Sequence, residues 1–253
     1  MPQSLDIAAL LPELILTCGA MALLMLGVVT KRERGELILW LAVALLVVAG
    51  LFVAGTTGTQ TLFGNSFIVD PFARMLKLLT LAGAAATLLM SGDYWREAGG
   101  LRFEFPVLIL FAAAGMLMMI SANDLIALYV GLELQSLALY VIAAFKRDSA
   151  RSAEAGLKYF VLGALSSGML LYGASLVYGF TGSTDFATIA AAVQPSGQNL
   201  GLIFGLVPAL QVLDVFRRSG KRLSELRDGL LEVLFAAGSD FVLFPIQDVF
   251  GWD

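Results

Sequence analysis

The residues best suited to chemistry lie in LYVGLELQSLALYV, residues 128–141, where Glu133 interrupts an otherwise apolar segment. On a helix Tyr129, Glu133, Ser136 and Tyr140 follow the spacing i, i+4, i+7 and i+11, which places them on one face. An ionised group at the bilayer centre costs roughly 3 kcal/mol on insertion scales, so it usually faces a partner or a water-filled cavity. We therefore predict that this polar stripe lines a proton path. A structural carboxylate paired with a neighbouring helix is the alternative.

Lys158, in the sequence GLKYF of the next apolar run, is a further candidate residue of the proton path. A buried acid and a buried amine on adjacent helices suit proton handling, because burial disfavours each charge while mutual attraction favours both. Lys158 also follows a basic loop closely, so the alternative is that its side chain extends to the cytoplasmic headgroups. These residue types fit a proton relay and a Na⁺ or H⁺ antiporter equally well, and their spacing does not decide between these two functions.

The composition indicates a membrane protein. Of the 253 residues, 58% are hydrophobic and 14% are charged, with a mean hydropathy of +0.85, whereas a soluble domain has about 25% charged residues. The absence of His and the single Cys exclude His-based acid–base catalysis, Cys/His metal sites, intrachain disulfides and Cys-ligated clusters. The net charge of -4 comes with no polybasic run, so nucleic acid is not an expected partner.

Six apolar runs of about 20 residues are long enough to cross a hydrocarbon core about 30 Å thick. They lie near 8–29, 37–57, 73–92, 104–122, 125–145 and 154–180. Backbone groups in lipid must be paired internally, and the runs lack the alternation of barrel strands, so each is predicted to be a helix. We therefore expect an all-α fold, a polytopic transmembrane helical bundle, with an incomplete seventh run from about residue 200.

The basic residues between the runs predict the orientation. Connections that contain Lys or Arg are 31–35, 93–103 and 146–151, and those without either are 58–70, 121–124 and 181–199. This alternation predicts that the basic loops are cytoplasmic and that the N-terminus lies outside. Arg74 and Lys77, just inside the third run on the outer side, are the exceptions. We predict that they snorkel to the headgroups, with a functional role as the alternative.

Residues 128–185, which include GLELQSL and LKYFVLGALSSG, resemble the fifth and sixth helices of subunit N of proton-pumping NADH-quinone oxidoreductase, respiratory complex I. The stretches LPELIL and DPFARMLK fit the first and third helices of that subunit, and the resemblance runs from the N-terminus to about residue 207. It implies the N-terminal part of an antiporter-like fold, a membrane-arm subunit that takes part in proton translocation coupled to quinone reduction. It also implies that the family's fifth-helix glutamate corresponds to Glu133 and its sixth-helix lysine to Lys158.

The resemblance further implies that this chain carries no cofactor and performs no redox chemistry alone. NADH, FMN, iron–sulfur clusters and quinone would be bound by other subunits of the complex. The expected partners are other membrane-arm subunits and the lipid bilayer, and the expected location is the bacterial inner membrane. Two alternatives remain: a subunit of a multi-subunit cation/proton antiporter, and an inactive helical fragment.

From Pro208 the charge density rises and no further spanning run follows. An amphipathic leucine pattern and the strand-like FVLFPI predict a short soluble α/β-like tail over 208–253. SDFVLFPIQDVFGW resembles a segment near the C-terminus of the 4-α-glucanotransferase (amylomaltase) family. The family's lysine-bearing seventh helix is not found where it would follow residue 207, so we predict a truncated subunit joined to a chimeric or misassembled frame.

Overall fold

The computed structural model describes residues 7–29, 35–97, 102–146 and 148–193. Within these ranges the chain forms seven α-helices and one small hairpin. The helices are α1 (Leu11–Val29), α2 (Gly35–Gly55), α3 (Pro71–Glu97), α4 (Glu104–Ser121), α5 (Leu125–Ala143), α6 (Ala150–Thr181) and α7 (Phe186–Val193). The hairpin pairs β1 (Gln60–Leu62) with β2 (Phe67–Val69) antiparallel, and short 3₁₀ turns cover Ile7–Leu10 and Phe63–Asn65.

Helices α1 to α6 are each long and apolar enough to cross a membrane. The predicted all-α class and transmembrane bundle are therefore confirmed. The hairpin and α7 fall in connections 58–70 and 181–199, for which the hydropathy pattern predicts no regular element. The predicted seventh run from about residue 200 and the predicted tail over 208–253 lie outside the described residues.

Helix α4 lies at the centre of the bundle. The buried share of its apolar span is 67%, compared with 11% for the span of α5. Helix α4 packs against α1, α2, α3 and α5. Glycines allow α4 and α5 to approach closely, since a Cβ atom on Gly115 would lie 2.6 Å from the backbone nitrogen of Gln135. Because α5 also packs on α6, the helix that carries Glu133 is held between α4 and α6.

Three connections meet at one end of the bundle. Phe67 of the hairpin forms a β-bridge with Ala122, between α4 and α5, and the Asn123 N–H donates to the Ser66 carbonyl at 2.9 Å. The Leu125 N–H in turn donates to the carbonyl of Thr184, which follows α6, at 3.0 Å. The connections that lack Lys and Arg therefore share one end, as the predicted alternation requires.

Asp185 strengthens this junction. Its Oδ1 accepts hydrogen bonds from the side-chain amides of Asn65 and Asn123, each at 3.2 Å. The backbone N–H and the hydroxyl of Thr188 also donate to this carboxylate. These two bonds are the main reason that the pKa of Asp185 lies below its ordinary value. The ionised carboxylate thereby joins three segments: the hairpin, the connection between α4 and α5, and the connection that follows α6.

Cysteine labelling can test the membrane orientation, since Ser149 and Ser183 flank the two ends of α6. Cys18 is the single native cysteine, so a Cys18→Ala background serves as the unlabelled control. We expect an impermeant maleimide to label Ser149→Cys only in inverted vesicles and Ser183→Cys only in right-side-out vesicles. Labelling of both positions from the same side would contradict the predicted topology.

Candidate proton-path site

A hydrogen-bonded cluster joins the middle of α5 to α6. The Ser167 hydroxyl donates to Glu133 Oε1, and the Tyr129 phenol oxygen lies 3.0 Å from Ser167 Oγ. All three residues are partly buried. Two members of the predicted stripe, Tyr129 and Glu133, therefore meet through a residue that the sequence analysis did not select. Its motif, GALSSG, consists mostly of small residues, which in membrane helices indicate close helix packing.

Tyr140, a third member of the stripe, also lies on the side of α5 that faces α6, and Ser136 hydrogen-bonds to it. Tyr140 packs edge-to-face on Tyr159, with ring centroids 4.9 Å apart. Gly163 makes room for the phenol group, since a Cβ atom there would lie 1.9 Å from its oxygen. Three of the four predicted stripe residues thus contact one neighbouring helix, while the role of the stripe in proton transfer stays a prediction.

Lys158 does not meet Glu133 in the described chain. Its ammonium group lies 2.5 Å from Glu154 Oε1, and its side chain is 74% exposed. Ser167, which contacts Glu133, follows Lys158 by nine residues, or about 13.5 Å along the helix axis and about half a turn around it. The structure therefore does not bring Glu133 and Lys158 together, because the two side chains belong to different levels and faces. The exposed Lys158 fits the snorkelling alternative, and its role in proton transfer stays a prediction.

A buried ion pair exists elsewhere, between α1 and α3. Lys77 Nζ lies 2.5 Å from Glu13 Oε1, and the two residues are only 1% and 5% exposed. The ammonium group also lies 5.1 Å from the ring centroid of Phe67 in the hairpin, a cation–π arrangement. The prediction that Lys77 snorkels to the headgroups is therefore wrong, since its charge is neutralised inside the protein.

Arg74, the other predicted snorkelling residue, is partly buried. Its guanidinium donates to the carbonyl of Thr56, just beyond the end of α2, at 2.5 Å. A cation at this point interacts favourably with the carbonyl groups that a helix leaves unpaired at its C-terminus. Arg74 therefore helps to fasten α3 to α2.

The ionisable groups of the described ranges do not gather into a metal site, since no three His, Cys, Asp or Glu side chains converge there. The α5–α6 cluster instead offers a carboxylate, a hydroxyl and a phenol in hydrogen-bonding contact. Such a set can accept, hold and pass on a proton.

Comparison with known families and proteins agrees with this fold. Residues 122–212 match the family model described as NADH:quinone oxidoreductase/Mrp antiporter, TM. The match therefore ends just beyond Pro208, where the sequence analysis places the start of the tail. The chain is 59% identical over 197 residues to NADH-quinone oxidoreductase subunit N 1 of Rhizobium meliloti, covering 78% of the chain and 41% of that protein. It is 54% identical over 203 residues to subunit N of Rhodobacter capsulatus, covering 80% and 42%.

Solved structures show the same architecture. A chain of respiratory complex I from Thermus thermophilus, solved with bound aureothin, is 30% identical with a TM-score of 0.65, covering 80% of this chain and 43% of that one. A chain of an archaeal membrane-bound sulfane sulfur reductase is 21% identical with a TM-score of 0.68, covering 83% and 44%, which shows a shared fold alone. The chain therefore spans less than half the length of the relatives it matches.

Proposed function

We propose, from its similarity to subunit N over about four fifths of its length, that the chain is part of an antiporter-like membrane subunit of NADH-quinone oxidoreductase. In this role it takes part in proton translocation coupled to quinone reduction. The observation that carries the proposal is the placement of Glu133 near the middle of a membrane-length helix, hydrogen-bonded across to the next helix. A titratable group at that depth marks a proton or ion pathway more often than a structural contact.

The cluster supplies the means for such transfer. The Glu133 carboxylate takes up and releases the proton, and the neighbouring hydroxyl groups fix the orientation of the carboxylate. Ser136 and Tyr140 continue the polar face by two further turns toward the opposite end of α5. We include Lys158 as a candidate member at the basic end of α6, where an exposed ammonium would raise the electrostatic cost of bringing protons to the path.

A multi-subunit cation/proton antiporter is the second candidate, because the matching family model covers Mrp antiporters as well. The identity of 59% and 54% to proteins named as subunit N favours the oxidoreductase. A helical fragment without transport activity is the third candidate, because the chain spans less than half of those relatives.

Within this proposal the partners are other subunits of the complex and the surrounding lipid, and the location is the bacterial inner membrane with the N-terminus outside. The shared end of the three non-basic connections supports the alternating topology. NADH, FMN, iron–sulfur clusters and quinone would be bound by other subunits. We propose no glucan chemistry for the predicted 208–253 tail, since a glycosyl transfer site needs two carboxylates held by a folded scaffold.

Purification of the tagged chain from its own membranes tests the assignment. We expect NADH-quinone reductase activity and the subunits of the reductase to co-purify with the chain. Their yield should exceed that from an untagged control strain by roughly tenfold or more. Recovery of cation-dependent proton exchange without reductase subunits would favour the antiporter. Recovery of the chain alone would favour the inactive fragment.

A further inference from the structure

The hydroxyl of Ser167 bonds two members of the α5 stripe at once. Its proton points to Glu133 Oε1, and its oxygen lies 3.0 Å from the Tyr129 phenol. The side chain is partly buried between α5 and α6. Neither the family match nor the relatives' names assign a role to Ser167 or Tyr129.

The direction of these bonds follows from the chemistry of the acceptor. An ionised carboxylate has no proton to donate, so Ser167 must donate its single proton to Glu133. The phenol of Tyr129 must then be the donor to Ser167. The three groups form an ordered chain in which each donor points toward the carboxylate, and which reverses as a unit when Glu133 is protonated.

We propose that Ser167 is a relay and positioning residue that links Glu133 to Tyr129. The inference rests on the proposed function and adds a branch of the proton path across the α5–α6 interface. Tyr129 lies one helical turn from Glu133, about 6 Å nearer to the start of α5. Since α5 begins at the junction with the hairpin, the branch leads toward that end of the bundle.

The transfer step conserves every proton. The protonated Glu133 carboxyl gives its proton to Ser167 Oγ while the Ser167 hydroxyl proton passes to the Tyr129 oxygen. The Tyr129 phenol proton passes at the same time to a water molecule at the end of the bundle. One O–H bond breaks and one forms at each hydroxyl, so Glu133 ends ionised and the water ends as hydronium.

Substitutions in the full-length subunit of the assembled complex test this relay. Ser167→Ala removes both hydrogen bonds, Ser167→Thr keeps the hydroxyl, and Tyr129→Phe removes only the phenol oxygen. Ser175→Ala is the matched control, because its hydroxyl donates to the Tyr172 carbonyl of its own helix at 2.7 Å. The measurement is NADH-driven proton uptake in vesicles, normalised to assembled complex on native gels.

We expect Ser167→Ala and Tyr129→Phe to lose at least half as much pumping as Glu133→Gln loses, while Ser167→Thr and Ser175→Ala pump normally. An infrared difference spectrum adds a direct signature of the contact. The carboxylate band that disappears in Glu133→Gln should shift in Ser167→Ala, because its hydrogen-bond donor is lost, and stay in place in Ser175→Ala.

Each outcome has a defined meaning. Normal pumping by Ser167→Ala and Tyr129→Phe, with Glu133→Gln impaired, overturns the relay and leaves the proposed function intact. Normal pumping by Glu133→Gln overturns the proposed function itself. An unshifted carboxylate band in Ser167→Ala overturns the relay even where pumping falls. If Ser167→Ala does not assemble, Tyr129→Phe decides: reduced pumping supports the branch and normal pumping overturns it.

Discussion

In the complex that we propose, Glu13→Gln and Lys77→Met should each prevent the chain from assembling, whereas the double variant should assemble. Each single change leaves one buried charge without its partner, which costs about 3 to 5 kcal/mol. After Lys77→Met the surroundings offer little compensation, since within the described residues Glu13 Oε2 accepts no hydrogen bond. After Glu13→Gln the Lys77 ammonium keeps the Phe67 ring but loses its carboxylate. Removing both charges leaves two neutral side chains of similar size, a replacement that is often neutral or stabilising.

The chain contains its own control for this experiment. Glu154 and Lys158 form an ion pair of the same 2.5 Å length, but both side chains are more than 60% exposed, at 63% and 74%. Exposed pairs contribute little because water screens both charges before and after the change. Glu154→Gln should therefore leave the amount of assembled complex unchanged, although it makes the same chemical substitution as Glu13→Gln.

The measurement is the quantity of chain in the assembled complex on native gels, relative to total chain in the membrane. A penalty of 3 to 5 kcal/mol corresponds to a factor of roughly 10² to 10⁴ in an equilibrium constant, so the single variants should be nearly absent. Wild-type assembly of Glu13→Gln would show that the pair contributes nothing. Failure of the double variant as well would show that the side chains act through shape and not through charge.

The two lysines show what the sequence could and could not predict. Lys77 and Lys158 both lie within the first three turns of apolar helices, so hydropathy treats them alike. One is 1% exposed and the other has a 74% exposed side chain, because only the packing of neighbouring helices decides which face is covered. The signal for the buried pair was present as Glu13 and Lys77, opposite charges near the same predicted membrane surface.

The helices themselves were predictable because each depends on one local property, a run of apolar residues long enough to span lipid. The stripe on α5 was predictable for the same reason, since helical spacing alone places Glu133 and Tyr129 on one face. Its contact with Ser167 was not, because the distance of 34 residues between Ser167 and Glu133 is closed by tertiary packing. Nor does an apolar pattern foretell the hairpin, whose three-residue strands pair mainly with each other.

If the chain takes part in proton pumping as we propose, Glu133→Gln should lower pumping by roughly 10²-fold or more per assembled complex, the scale at which a positioned acid–base group contributes. Glutamine keeps the size of the side chain and its capacity to hydrogen-bond, so the contact with Ser167 can survive. It removes only the titratable proton. Assembly should therefore remain normal, in contrast with Glu13→Gln, whose partner is a buried cation.

This contrast separates the two explanations of Glu133. A structural role as a charged partner predicts that assembly fails first, as at Glu13, whereas a role in the proton path predicts intact assembly with reduced pumping. The described contacts of the Glu133 carboxylate favour the second explanation, because its hydrogen-bond donor is the neutral Ser167. Proton uptake in vesicles and native gels on the same preparations measure both quantities.

Lys158→Ala completes the test, because the exposed position of Lys158 makes a different prediction from the family resemblance. A lysine that only reaches the headgroups should be replaceable with little effect on pumping. A lysine that belongs to the path in the proposed complex should reproduce the Glu133→Gln loss. Equal losses would mean that Lys158 belongs to the path together with Glu133. A loss confined to Glu133→Gln would restrict the path to the α5–α6 cluster, and normal pumping by assembled Glu133→Gln would leave that cluster as a packing contact.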